Sequence, residues 1–351
     1  MLKKAGLYES LENKKVRCIA CSRKCVIPEG SNGFCFVRKN IGGSLYLLSY
    51  AMVSALQLDP IEKKPFYNFN PGAYVLGVGT SSCNLGCLFC QNHNISKEHE
   101  ISGIEIIPDE LINLAISKGA QGIAFTYNEP TIFIEYALDV AEQAHRKGLF
   151  TLFVSNGYMT KEAIDLMVGV IDAVVVDFKG NGERIFSNKF EAVVSNDPVK
   201  ESVEYLVKLG FHVEITDLIV PNVGDSLSAC DKLTSWLAGI SKDIPIHFTR
   251  FYPDYKMLDY PITPIQTLEK HYNVAVKNGL RYVYIGNVPG NEHNDTSCPG
   301  CGKKIIKRDG FYISKMHITN DKKCRYCRYQ IKIDGKLKSE NKHVNAIDVI
   351  I

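Results

Sequence analysis

At 351 residues, with 45% apolar and 23% charged side chains, the chain can build a large packed core and is neither disordered nor fibrous. A net charge of +3 gives no ground for a nucleic-acid or anionic-membrane partner, although residues 291–351 are locally rich in Lys and Arg. The opening stretch MLKKAGLYESLENKKVRC lacks the apolar core of a signal peptide, and no later run approaches the length of a membrane span, so a cytoplasmic protein is expected. In a reducing compartment its twelve cysteines point to metal ligation rather than disulfides.

In chain order, residues 1–72 form an N-terminal lobe holding Cys18, Cys21, Cys25 and Cys35, followed by the β-rich stretch SLYLLSYAMVSALQLDP. Four thiolates suffice for structural zinc or for a fully ligated iron–sulfur cluster that only carries electrons. Residues 73–290 alternate short apolar runs with helical periods. Strands are expected over 74–79, 122–126, 150–155, 173–177, 212–219, 246–251 and 282–286, and helices over 132–147, 161–168, 199–209 and 265–278. Gly148, Gly210 and Gly279 end three of those helices, as left-handed caps require. Repeated β/α units imply a parallel sheet, with its chemistry at the carboxyl ends of the strands. Cys230, in an apolar-periodic stretch, reads as a buried core thiol.

Polar residues follow those strand ends: Cys83, Cys87 and Cys90 after the first, Asn128 and Glu129 after the second, and Ser155 and Asn156 at the third. Asp177 and Lys179 end the fourth, and Asn287 follows the last. Along 212–219, His212, Glu214 and Thr216 share one face and can point into a barrel. Three closely spaced cysteines fit neither structural zinc, which takes four ligands, nor common catalytic zinc. A four-iron, four-sulfur cluster on three thiolates keeps one iron open for a substrate or cofactor.

The Cys-x3-Cys-x2-Cys loop with Phe89 before its last cysteine resembles the signature of the radical S-adenosylmethionine (SAM) enzymes. The resemblance implies an α/β fold with a partial (β/α)6-type barrel, to which the cysteine spacing adds a cysteine-rich N-terminal lobe and a small zinc-ribbon-like C-terminal appendage. It also implies a 4Fe-4S cluster on Cys83, Cys87 and Cys90 whose open iron holds SAM. Reductive cleavage then yields a 5'-deoxyadenosyl radical that abstracts hydrogen from a substrate. FCQNHNIS resembles the loop of glycyl-radical activases such as pyruvate formate-lyase activating enzyme, which places Asn92 beside SAM. TYNEP stands where those activases carry Gly-Gly-Glu; it lacks the glycines, and Glu129 keeps the carboxylate that meets the SAM ammonium group. SNG and VDFKG are similar to further activase motifs, which puts Ser155, Asn156, Asp177 and Lys179 at SAM.

RCIACSRKCVIPEGSNGFCFVR, CNLGCLFCQN, TYNEPTIF and YVYIGNVPG resemble recurrent stretches of a narrower group, the AmmeMemoRadiSam system radical SAM proteins. The expected activity is that of an activating-enzyme-like oxidoreductase, with no catalytic residue assigned. Modification of a small molecule or of another protein is the alternative. A low-potential donor such as ferredoxin or flavodoxin and a protein substrate are the partners such chemistry implies.

Residues 291–351 carry Cys298-x2-Cys301 and Cys324-x2-Cys327, the paired knuckles of a zinc ribbon, with rubredoxin-like iron or another cluster as alternatives. The basic tail raises a reading from another class, a zinc-stapled nucleic-acid-binding module, which the polar set at the strand ends disfavours.

Overall fold

The computed structural model describes residues 1–97, 99–338 and 347–350. Among these, the main sheet has nine strands: β1 (Ala55–Pro60), β2 (Tyr74–Gly79), β3 (Gly122–Phe125), β4 (Phe150–Ser155), β5 (Ala173–Lys179), β6 (His212–Ile219), β7 (Ile246–Arg250), β8 (Val283–Gly286) and β9 (Ile347–Ile350). Strands β2 to β8 are parallel and neighbour one another in chain order, while β1 joins β2 antiparallel and β9 joins β1. With no reversal of strand order there is no switch point, and right-handed crossovers put every helix on one face. That is the winding of a barrel: six β/α units ending on a seventh parallel strand.

Each crossover carries a helix: α1 (Pro108–Ser117), α2 (Ile134–Arg146), α3 (Lys161–Met167), α4 (Asp197–Lys208), α5 (Leu227–Ile240) and α6 (Ile265–Lys277). Local chemistry sets their ends. The Thr160 and Ser226 hydroxyls accept the backbone N–H of Ala163 and Ala229 at 3.2 Å each, and Gly148, Gly210 and Gly279 take positive φ of 74°, 86° and 89° after the last turns. Cys230, on α5, is fully buried.

The strands bury both faces, as parallel strands do, so Val174, Val175 and Val176 of β5 are all inaccessible. Outward residues such as Leu76, Ile123, Phe153 and Val174 join the helices in the largest apolar cluster, which also takes in N-terminal residues such as Val16, Leu45 and Val53. Inward residues Val75, Ala124, Leu152 and Val175 meet Ile61, Phe66 and Phe69 from the segment between β1 and β2. These three side chains plug the barrel at the amino ends of its strands. A third apolar cluster joins Tyr67, Tyr282 and Tyr284 to Ile305, Ile306 and Ile313 of a small antiparallel sheet formed by Thr296–Ser297, Lys304–Asp309 and Tyr312–Met316. No helix among the described residues is long and apolar enough to cross a membrane.

Because Phe66 is fully buried in the plug, Phe66→Ala is expected to cost about 3–5 kcal/mol by leaving a cavity against Val75 and Val175. Chemical denaturation followed by circular dichroism reads this; an unchanged midpoint would show that the plug does not hold the barrel closed.

Candidate active site

At the carboxyl ends of the strands lies a cavity of about 460 Å³. Cys83, Cys87, Cys90, Asn92, Glu129, Ser155, Asn156, Asp177 and Lys179 all line it, and so do Thr216, His247 and Asn287. The structure thus gathers every candidate SAM-site residue onto one wall system.

The cysteine loop is pinned from several sides. Gly86 N–H and Leu88 N–H donate to Glu191 O and Phe190 O at 2.9 Å each, Lys256 N–H donates to Leu88 O at 2.9 Å, and Lys97 Nζ donates to Leu85 O at 2.8 Å. Asn128 ties the strand end behind it: its Oδ1 accepts Thr80 N–H at 3.2 Å and its Nδ2 donates to Ser82 O at 2.8 Å. Burial pushes the Cys83 and Cys87 thiols up, while the Lys97 ammonium counters the rise at both and Lys179 does so at Cys87. Those cations favour thiolate and hence ligation.

The three thiols are not drawn onto one point. Among the described residues, the group whose ligand atoms all lie within 4.8 Å of one another is Cys298, Cys301, Cys324 and Cys327. There Cys298 Sγ lies 3.5 Å from Cys327 Sγ and Cys301 Sγ 3.9 Å from Cys324 Sγ. Four sulfurs around one ion at bonds of about 2.3 Å stand about 3.8 Å apart, so this quartet has single-ion spacing. Three thiols spread along a cavity wall suit a cluster that spans the space between them. His93, a conceivable fourth ligand, instead stacks on Tyr255 with ring centroids 4.9 Å apart.

Glu129 is 1% exposed, and four donors surround its carboxylate. Oε1 accepts Thr131 N–H at 3.0 Å, Thr131 Oγ1 at 2.5 Å and Ser155 Oγ at 2.8 Å, while Oε2 accepts Asn156 N–H at 2.8 Å. Burial raises its pKa above the ordinary value, and these donors work against the rise. The Asn156 N–H reaches it because Gly157 turns at φ 70°, where a Cβ would stand 2.6 Å from Val176 Cγ1. Ser155 Oγ also accepts Gly157 N–H at 3.0 Å, so that hydroxyl is committed to the turn and to Glu129. Asn92 Nδ2 donates to Tyr127 O at 2.9 Å. Lys179 Nζ sits 3.3 Å from Asp177 Oδ2, and the other Asp177 oxygen accepts the Thr216 hydroxyl.

Deeper in the barrel, Glu214 is fully buried and accepts His247 Nε2 at 2.8 Å, His212 Nε2 at 3.1 Å, and the backbone N–H of Tyr67 and Asn68 at 3.0 and 2.7 Å. His212 Nδ1 meets Asp334 Oδ2 at 2.7 Å. His247 and Thr249 line the cavity and belong to the stretch HFTRFYPDYKM, where they alternate with Ile246 and Phe248 along β7. Lys64, another lining residue, is 2.8 Å from the buried Asp59, a pairing that nothing in the local sequence announces.

The model of the radical SAM superfamily matches residues 78–234. The uncharacterised protein MJ0808 of Methanocaldococcus jannaschii is 41% identical over 339 residues, which cover 95% of this chain and 99% of that protein. Among solved structures, a domain of pyruvate-formate lyase-activating enzyme from Bacteroides vulgatus is similar over 48% of this chain and 100% of its own, at 14% identity and a TM-score of 0.42. A radical SAM methyltransferase from Sphaerobacter thermophilus is similar over 62% of this chain and 68% of its own, at 13% identity and a TM-score of 0.49.

The Glu214 network carries a pH signature. Burial alone would raise Glu214, but hydrogen bonds from His212 and His247 outweigh it and hold the group at about 2, against an ordinary 4.5. Burial would lower His212, but its bonds to Asp334 and Glu214 raise it above 6.5. The Glu214 contribution is complete above pH 4.5 and fades as pH falls toward about 2. The His212 contribution is complete below pH 6.5 and fades as pH rises through its folded value. Stability is therefore expected to peak between those two ordinary values. Glu214→Gln is expected to lower the peak by about 3 kcal/mol and to flatten both limbs in urea titrations run across pH; a variant with the wild-type pH profile would disprove the assignment.

Proposed function

The chain belongs to the radical SAM superfamily, and from that premise we propose that it cleaves SAM reductively in this cavity and abstracts a hydrogen atom from a substrate as a glycyl-radical activase. The observation that carries the reading is the placement of three separated thiols and a four-donor carboxylate on one cavity. A 4Fe-4S cluster on Cys83, Cys87 and Cys90 supplies, when bound, the electron and the open coordination position that SAM cleavage needs. The chain's own part is to bind, orient and exclude.

Glu129 offers a buried negative charge to an ammonium group, and Ser155, Thr131 and the Asn156 backbone hold that charge in place. The Asp177 and Lys179 pair presents an acceptor and a donor to the sugar or carboxylate of the same ligand. Asn92 fixes the loop end against Tyr127. The likeness of FCQNHNIS to the activase loop supports a glycyl-radical protein as substrate. We assign the ion at Cys298, Cys301, Cys324 and Cys327 as structural zinc, supported by their spacing and by the small size of the sheet it fastens. The unit boundaries proposed with this reading are 1–72, 73–290 and 291–351.

Anaerobically reconstituted protein with dithionite is expected to release 5'-deoxyadenosine from SAM, and Cys83→Ala to release none above background. Glu129→Gln is expected to weaken SAM binding about tenfold or more, a loss of about 1.4 kcal/mol. Wild-type protein that binds a cluster yet leaves SAM intact would overturn the proposal. An activase gives one 5'-deoxyadenosine per radical on its protein partner, whereas repeated turnover without a protein radical would favour a small-molecule or other protein substrate.

A further inference from the structure

Cys18, Cys21, Cys25 and Cys35 line one small cavity with Arg38 and Asn84. Cys18 and Cys35 are buried, and all four are free thiols. Backbone bonds fold the segments around the space: Cys18 N–H donates to Cys25 O at 2.9 Å, Lys24 N–H to Cys21 O at 3.1 Å and Val37 N–H to Cys35 O at 2.7 Å. The chain contains its own reference for a mononuclear site, the C-terminal quartet, whose ligand atoms lie within 4.8 Å of one another. The N-terminal four surround a common cavity without that convergence. A zinc ion draws four sulfurs to about 3.8 Å from one another. A cubane cluster gives each thiolate a different iron and keeps them wider apart.

Asn84 supplies a second, independent observation. It lies in the cysteine loop of the main cavity, is 0% exposed, and turns its two ends toward the two cysteine groups. Its Oδ1 accepts Asn156 Nδ2 at 2.7 Å and lies 3.7 Å from Cys83 Sγ. Its Nδ2 has no hydrogen-bond partner among the described residues, and the side chain lines the N-terminal cavity together with Cys21. A buried donor is thus aimed at the N-terminal cavity. Arg38, 2% exposed, sets a guanidinium beside Cys18 and Cys35 while paired with Glu135 at 2.6 Å. Positive charge there offsets the negative charge of four thiolates around a metal centre.

We propose that Cys18, Cys21, Cys25 and Cys35 ligate a second 4Fe-4S cluster, closed to substrate, which relays single electrons past Asn84 to the centre at Cys83. In each transfer the N-terminal cluster loses one electron and the centre at Cys83 gains it; a low-potential iron–sulfur or flavin protein then returns one electron to the first. No bond forms or breaks. The relay, though not the N-terminal cluster itself, rests on the function proposed above.

The test uses the full chain, purified anaerobically, as wild type and as the Cys83→Ala/Cys87→Ala/Cys90→Ala variant, with iron, sulfide and zinc assays and electron paramagnetic resonance after dithionite. The wild type is expected to hold about eight irons and the triple variant about four, with a single zinc in each and a reduced signal in the variant that SAM does not change. A triple variant with native circular dichroism that holds no iron, with or without a second zinc, overturns the N-terminal cluster. Equal iron in both proteins, with no SAM cleavage, would instead sink the proposed function and leave the N-terminal cluster supported. For the relay, the fully reduced wild type is compared with the sum of spectra from the triple variant and from Cys21→Ser/Cys25→Ser. Broadening beyond that sum, from magnetic coupling between neighbouring clusters, is expected; a spectrum equal to the sum overturns the relay.

Discussion

A carboxylate taken out of water stays charged only where donors replace its hydration, and two such carboxylates organise this barrel. Glu129 gathers the ends of β3 and β4, since its donors come from Thr131, Ser155 and Asn156. Glu214 does the same lower down, joining β6, β7 and the Tyr67–Asn68 backbone. Glu129 lines the cavity, and Phe66 and Phe69 pack against the inward residues Val75, Ala124, Leu152 and Val175. Losing either carboxylate would leave several buried donors without acceptors, so these positions bind the architecture together as well as setting the field inside it.

The three cysteine groups differ in how far they have closed. The C-terminal quartet holds its sulfurs 3.5 and 3.9 Å apart in pairs, beside a small sheet whose apolar residues pack on Tyr67, Tyr282 and Tyr284. Cys83, Cys87 and Cys90 lie along a cavity wall shared with polar and charged side chains such as Asn92, Glu129, Asp177 and Lys179. The N-terminal four are more enclosed than the C-terminal quartet, in which Cys301 and Cys327 are exposed, and like Cys83, Cys87 and Cys90 they are not drawn onto one point. Ligand number alone does not separate such sites; spacing and neighbours do.

Much of this architecture is legible in the sequence because parallel strands buried on both faces are short apolar runs. The run at 74–79, the one at 150–155 and the one at 212–219 coincide with β2, β4 and β6, and β5 continues two residues past the expected 177 to Lys179. The strand-end polar residues are equally visible, because winding in chain order sends every strand's carboxyl end to the same side. What stays hidden depends on distant partners. Glu214 against Tyr67 and Asp334 beside His212 are pairings between segments that only the closed fold brings together. Ser155 shows a subtler limit: its place at the cavity follows from the motif, but its commitment to Glu129 and Gly157 follows from the turn geometry.

Asn84 illustrates how one residue can serve two sites because of where it sits in a loop. Leu85 lines the main cavity, whereas Asn84, one position earlier, lines the small cavity it shares with Cys21. Arg23 closes the same contact from the other side, donating through Nε to Asn84 O and through Nη2 to Ala192 O at 2.7 Å while its guanidinium lies 3.5 Å from the Phe34 ring. Ala192 follows Glu191, whose carbonyl holds Gly86 in the cysteine loop. The N-terminal lobe therefore grips the cysteine loop through the Arg23 guanidinium on the loop's backbone carbonyl.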